Sequence, residues 1–312
     1  MVASCISLVS LYSSFLRRSL TKCGLSSQVI DVDADTKIHF WGPKKPISLE
    51  NSSNLEGDDQ QKSSLVLIHG FGAPAMWQWQ RQVSLLVPHF NVYIPDLVFF
   101  GESTTASSER SEIFQAKAIA KLMDKIGIDR YLVIGTSYGG FVAYRMAEMW
   151  PERVQKVVIA SSGVNMRPSD NIELLKKAKM DNIEDLMMPE TAKQLRVLTR
   201  LAVFKRVYMP NCVLNDFIEK FNHDNRKEKL ELMKGLTIGQ HETPNISPLQ
   251  QKVLIIWGEH DNIFLLDVAK ELKEMLGQNA SLEVIKKTSH APQLEHPKAF
   301  NKILYNFLTA SS

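Results

Sequence analysis

Short apolar runs, each followed by a longer stretch with helical spacing, recur through most of this chain, and no other sequence feature limits its fold as much. The runs are Leu65-Val66-Leu67-Ile68, Val92-Tyr93-Ile94, Tyr131-Leu132-Val133-Ile134, Lys156 to Ala160, Val253 to Trp257 and Leu282 to Ile285. Runs this short and this continuously apolar suit strands buried on both faces, which predicts an α/β fold with a parallel sheet and crossover helices. Two earlier runs, Gln28 to Val32 and Ile38 to Trp41, bring the expected sheet to eight strands. Helices are predicted over 75–86, 111–126, 139–149, 265–276 and 297–308, and a polar loop over 43–64. From Gly163 to Pro248 the rhythm stops: Lys, Met, Leu and Glu recur at helical periods without a convincing strand. The expected division is therefore a core of residues 28–162 and 249–312, with 163–248 inserted as a mobile helical lid. Such a lid leaves and rejoins the sheet at its carboxyl edge, where open α/β sheets bind ligands.

Composition closes off other classes. With 312 residues, 44% hydrophobic and 23% charged, the chain is an ordinary globular one. A net charge of +3 is too small to imply a nucleic-acid partner. The densest basic run, Arg226-Lys227-Glu228-Lys229, is broken by its glutamate and reads as a solvated helix face. Cys5, Cys23 and Cys212 are odd in number and in no ligand spacing, which argues against a disulfide framework and against zinc and fits a reducing, cytoplasmic compartment. Residues 1–27 contain no acid, three bases (Arg17, Arg18, Lys22) and eight serines. Leu8, Tyr12, Phe15 and Leu16 recur there at helical spacing, predicting an amphipathic helix packed on the body or on a membrane surface. The alternative is a cleaved transit peptide, which would place the protein in a plastid.

Four motifs carry chemistry. Gly135-Thr136-Ser137-Tyr138-Gly139 follows one buried run and opens a helix, the setting of a strand-to-helix turn that exposes a nucleophilic serine. His69-Gly70-Phe71-Gly72 follows the run 65–68. Its glycines let backbone approach a substrate, so the N–H groups of Phe71 and Tyr138 are the expected oxyanion donors. His69 itself reads as a loop anchor. Asp261, in Trp257-Gly258-Glu259-His260-Asp261, holds the chain-order position of the acid that orients a catalytic histidine; Ser161 to Asn165 offers no acid in the other common location. Glu259 and His260 read as loop-capping neighbours. His290 sits in Thr288-Ser289-His290-Ala291-Pro292 after the last strand, where a base can reach the serine. His296 reads as a cap, and His39, His89, His223 and His241 as surface or packing residues. Asp96 reads as structural. Gly72, Trp77, Phe99 and Met187 are the candidate pocket residues. No metal or other cofactor is called for.

The stretches LVLIHGFG, IPDLVFFGES, LVIGTSYGGFVAYRMAE, LIIWGEHDNI and KTSHAPQLEHP resemble the α/β-hydrolase superfamily over residues 65–309. The likeness is to its lid-bearing branch, most of all the monoacylglycerol-lipase-like hydrolases of plants. That resemblance implies a serine hydrolase acting on a small or lipid-like acyl ester through Ser137, His290 and Asp261. Two alternatives come with it: a carbon–carbon bond hydrolase or lyase using the same triad, and a hormone-receptor-like binding protein. Epoxide hydrolases of this fold attack with aspartate where this chain has Ser137, and use lid tyrosines where it has only Tyr208. Two positions depart from the family pattern. Phe99 replaces a glycine of the Asp-x-x-Gly-x-Gly-x-Ser loop, predicting a bulkier loop facing the site, and Ser289 replaces the glycine that often precedes the histidine.

Overall fold

The computed structural model describes residues 7–44, 62–205 and 207–310. Cys5 and most of the predicted loop 43–64 lie outside them. The chain opens with α1 (Leu8–Lys22) and a hairpin of β1 (Leu25–Asp31) and β2 (Thr36–Pro43). Next come β3 (Ser64–Ile68), α2 (Ala75–Trp79), α3 (Val83–Leu86), β4 (Asn91–Pro95), β5 (Thr104–Thr105) and α4 (Glu112–Lys125). The elements β6 (Tyr131–Thr136), α5 (Tyr138–Met149) and β7 (Val154–Ala160) follow. Five helices then run without a described strand: α6 (Pro168–Ala178), α7 (Ile183–Met187), α8 (Ala192–Ala202), α9 (Asn211–Phe221) and α10 (Arg226–Lys234). The sheet resumes with β8 (Lys252–Gly258), α11 (Leu266–Leu276), β9 (Ala280–Ile285), α12 (Pro292–Glu295) and α13 (Pro297–Thr309).

The sheet order is β1-β2-β4-β3-β6-β7-β8-β9, the α/β-hydrolase fold. Strand β2 is antiparallel to β1 and β4, and every pair from β4 to β9 is parallel. The eight predicted strands all lie on this path. The additional β5 is a two-residue pairing on β2, too short to leave a periodicity. The helix predicted over 75–86 is split in two at residues 80–82. Buried Gln82 sits in the break, its amide donating to the Gln293 carbonyl and to Asn301 Oδ1, both 2.9 Å away.

The parallel strands show why their sequences are apolar throughout. Val66, Ile68, Val133, Val157, Ile159, Val253 and Ile255 pack on one face, with α4, α5 and α11. The residues between them, Leu65, Leu67, Leu132, Ile134, Val158, Leu254 and Ile256, pack on the other, with α1, α2, α3 and α13. Successive side chains alternate between faces, and both faces are covered. The helices α6 to α9 bring small cores of their own: Leu174, Ala178, Leu186 and Leu201 with Ile263, and Leu195 with Leu214 and Ile218.

The order in which strands are added to the sheet reverses between β3 and β6, since β3 pairs with β4 on one side and β6 on the other, all three running parallel. A crevice opens beyond the carboxyl ends of the strands at such a reversal. Here the register sets Ile68 beside Gly135, so the loop after β3 and the turn after β6 leave the sheet side by side.

Candidate active site

Ser137 occupies the turn between β6 and α5 with φ of 51° and ψ of −123°. A non-glycine residue at positive φ is strained, and the surrounding structure must hold it there. Its N–H donates to the Ala160 carbonyl on β7 at 2.9 Å. The flanking glycines are required by contact: a Cβ on Gly135 would lie 2.0 Å from the Gly139 carbonyl oxygen, and one on Gly139 would lie 2.4 Å from that of Ile68. Only bare backbone permits β6, α5 and the β3 loop to meet this closely.

Asp261 and His290 come to Ser137 from the ends of β8 and β9. His290 Nε2 lies 3.0 Å from Ser137 Oγ, and its Nδ1 lies 2.9 Å from Asp261 Oδ2. The other oxygen of buried Asp261 accepts the N–H groups of Ile263 and Phe264 at 2.9 and 3.0 Å. The carboxylate is thus locked in plane, and in this arrangement Nδ1 carries a proton while Nε2 is free to accept one. The three residues predicted from separate motifs form one hydrogen-bonded chain.

The loop after β3 is held from below. His69 is fully buried; its Nδ1–H donates to the Gly70 carbonyl at 2.7 Å, and its Nε2 accepts the Leu97 N–H at 2.9 Å. Burial pushes its pKa below the ordinary 6.5, keeping it neutral and in that tautomer. Gln78 braces the loop from the other side. It accepts the Gly70 N–H at 2.8 Å and donates to the carbonyls of Gly70 and Ala73 at 2.9 and 2.7 Å. The N–H groups of Phe71 and Tyr138 donate to no protein acceptor among the described residues, and Tyr138 begins α5, where helix N–H groups are unpaired.

Two lobes of cavity open from Ser137. The smaller, about 100 Å³, is lined by Phe71, Tyr138, Phe141, Met166, Leu174, Met187, Met233 and Phe264, among others. The larger, about 290 Å³, is lined by Gly72, Trp77, Leu195, Leu198, Ala202, Phe217, His290 and Leu294, among others. Gly72, Trp77 and Met187 therefore line the cavity, with Met187 bordering both lobes. Phe99 does not. It is buried in the sheet core beneath the Arg110 guanidinium, 4.5 Å from its ring centre, and holds φ of 74°, the conformation that favours glycine at this position. The next residue, Phe100, is the one that packs edge-on against the Phe71 and His69 rings. The expected bulkier loop therefore does not face the site: neither Phe99 nor Phe100 lines either lobe, and Phe100 packs behind Phe71. Tyr208 is 85% exposed and lines neither lobe.

Motif reading missed the joint between α8 and the histidine loop. The His290 N–H donates to the Ala202 carbonyl at 3.1 Å, and Ser289 Oγ donates to the Leu201 carbonyl at 2.7 Å. Glu295 accepts the N–H groups of Ser289 and Phe204, both at 2.7 Å. The last carbonyls of α8, which have no partner within the helix, are thus satisfied by the loop that carries His290. The departure at Ser289 was the one visible signal. A second chain of the same residue types stands at the antiparallel edge. His39 bonds Ser27 Oγ through Nε2 and Asp96 Oδ2 through Nδ1, each at 2.8 Å. Asp96 Oδ1 also accepts the Ala75 N–H at 2.8 Å, at the start of α2.

The chain matches a family model described as the alpha/beta hydrolase fold over residues 64–194. It is 28% identical over 261 residues to a 2-hydroxy-6-oxononadienedioate/2-hydroxy-6-oxononatrienedioate hydrolase of Burkholderia vietnamiensis, covering 78% of this chain and 86% of that protein. It is 26% identical over 294 residues to the monoacylglycerol lipase abhd6-B of Xenopus laevis, covering 88% and 86%. Among solved structures, a bacterial membrane phospholipase A superposes with a TM-score of 0.76 at 21% identity, covering 96% of this chain and 91% of that one. These relatives are bacterial and amphibian, so the likeness to the plant branch stays an expectation from the motifs. Sheet order, serine turn and these likenesses together show that the chain has the α/β-hydrolase fold.

Proposed function

We propose that this protein is a serine esterase that transfers a short acyl group through Ser137 and releases a larger, apolar alcohol. The observation that carries the reading is the Ser137–His290–Asp261 chain opening into two apolar lobes whose linings contain no lysine or arginine. Ser137 Oγ attacks the ester carbonyl while its proton passes to His290 Nε2. The oxyanion is held by the N–H groups of Phe71 and Tyr138. Collapse breaks the bond to the alkoxy oxygen, which takes the proton from His290, and water releases the acid by the same steps.

Direction follows from that proton. The leaving oxygen must lie against His290, which lines the larger lobe and not the smaller one. The acyl group then occupies the smaller lobe, between Tyr138, Phe141 and Phe264. At roughly 30 Å³ per water-sized unit, its volume of about 100 Å³ holds on the order of three or four heavy atoms.

Carbon–carbon bond cleavage is the second reading, favoured by the hydrolases named among the relatives. The dienoate and dienedioate of those names are carboxylates, and a buried carboxylate needs a cationic or strongly donating partner. A neutral ester fits the cationless lobes better. The test is a fluorophosphonate label followed by two ester series, one varying the acyl chain and one the alcohol. The expected result is labelling of Ser137, and a kcat/KM that drops at least about tenfold beyond butyryl but tolerates long alcohols. Turnover of a dienoate with no ester hydrolysis would establish the second reading. Binding without turnover would point to a receptor-like protein.

A further inference from the structure

Helix α1 is apolar on two sides, and the esterase reading uses neither. One side is packed: Val9, Leu16 and Leu20 are each at most 4% exposed, and the last two join the core beneath the sheet. The other side faces out: Leu8, Leu11 and Phe15 are 54, 55 and 60% exposed. At 3.6 residues per turn, positions 8, 11, 15, 18 and 22 form one stripe along a helix. Exposed Arg18 and Lys22 continue the stripe toward the helix C-terminus. The helix contains no acid, and Arg17, which lies off the stripe, is paired with Glu102. The expected apolar face of Leu8, Tyr12, Phe15 and Leu16 thus divides: Leu16 is core, Leu8 and Phe15 are surface, and Tyr12 lies between them. A contiguous exposed apolar strip on a helix that already has a buried face has a use beyond packing.

We propose that this outer stripe docks the protein on an anionic lipid surface, with Leu8, Leu11 and Phe15 in the acyl boundary and Arg18 and Lys22 at the headgroups. Charge complementarity selects this occupant, because an apolar strip continued by cations and free of acids matches an anionic interface. The helix is held firmly enough to serve. Ser7 Oγ and the Val9 N–H both donate to Asp216 Oδ2 on α9 at 2.9 Å, and Ser13 Oγ accepts Trp77 Nε1–H at 3.1 Å. Trp77 also lines the larger lobe, so docking would hold the lipid beside the part of the cavity assigned to an apolar alcohol. The proposal stands whether or not Ser137 cleaves esters.

The test is co-sedimentation of the full chain with vesicles of phosphatidylcholine, alone or with phosphatidylglycerol. Binding to the anionic vesicles is expected, and it should weaken as salt rises. A Leu11→Ser, Phe15→Ser variant should bind at least about tenfold more weakly. An Arg18→Glu, Lys22→Glu variant should lose the preference for the anionic lipid. Thermal melts like that of the parent protein show that both variants fold. No partition to either vesicle, or undiminished binding by the serine variant, would overturn the proposal. So would a concentration-dependent dimer that Phe15→Ser dissociates, since a second copy would then be what covers the stripe.

Discussion

The chain Ser27–His39–Asp96 and the chain Ser137–His290–Asp261 have nearly the same hydrogen-bond geometry. Serine-to-histidine distances are 2.8 and 3.0 Å, and histidine-to-aspartate distances 2.8 and 2.9 Å. Their surroundings differ in every respect that matters to catalysis. Ser27 lies within strand β1, opposite Trp41, and lines neither lobe. Asp96 bonds both His39 and the first turn of α2, so this chain ties the antiparallel edge to the loops around the site. Ser137 sits on a strained turn at a helix N-terminus, next to a cavity and to N–H groups that have no acceptor among the described residues. A serine, a histidine and an aspartate in line are not yet a catalytic machine; on the proposed reading, the N–H donors and the space for substrate beside Ser137 make one.

The largest expected contrast is between the two serines. Ser137→Ala should lower kcat by about a millionfold and abolish fluorophosphonate labelling, while Ser27→Ala should leave kcat within about twofold. Labelling that persists in Ser137→Ala would break the comparison. The two aspartates should then separate by kind of damage. Asp261→Asn keeps an acceptor for Ile263 and Phe264 but turns an amide toward His290, forcing the wrong tautomer. It should cost about 10⁴-fold in kcat with an unchanged melting temperature. Asp96→Asn can keep its oxygen on the Ala75 N–H and turn its amide to His39, which then accepts at Nδ1 and donates from Nε2 to Ser27 Oγ, so it should cost about 1 kcal/mol of stability by denaturant titration with modest kinetic effect.

A smaller effect concerns His69. Burial lowers its pKa below the ordinary 6.5, so below pH 6.5 the unfolded chain takes up a proton that the folded one refuses. The stability present above that pH is lost as pH falls toward the folded pKa, at up to about 1.4 kcal/mol per pH unit. A His69→Gln variant should show a shallower decline of melting temperature between pH 6.5 and 5. An identical slope would mean that other groups carry the acid sensitivity. Smallest is the α8 joint. Ser289→Gly removes one hydrogen bond to the Leu201 carbonyl, worth about 1 kcal/mol, and should lower kcat about fivefold with Ser289→Thr near normal. A variant that melts lower but keeps full kcat would make the joint purely structural.

Much of this was legible in one dimension because it obeys local rules. The eight strands are readable because both faces of a parallel sheet are buried, which forces runs such as Leu65 to Ile68 to be apolar throughout. Ser137 is readable because a strand can turn into a helix this tightly only between glycines such as Gly135 and Gly139. Asp261 and His290 are readable because chain order and strand ends restrict where an acid and a base can reach that turn. Other features depend on residues far apart in sequence. Nothing in the spacing of Ser27, His39 and Asp96 announces that they form a chain, because β-pairing brings Ser27 and His39 together and the loop after β4 supplies Asp96. Gln78 looks like any helix glutamine until its amide meets the Gly70 backbone. Phe99 cannot be assigned to core or cavity without its φ. Leu8 and Leu16 share a helix, but which meets the body and which meets solvent is set by where α9 and α2 dock against α1. Local sterics write themselves into neighbouring residues, whereas contacts between distant segments depend on how the elements pack.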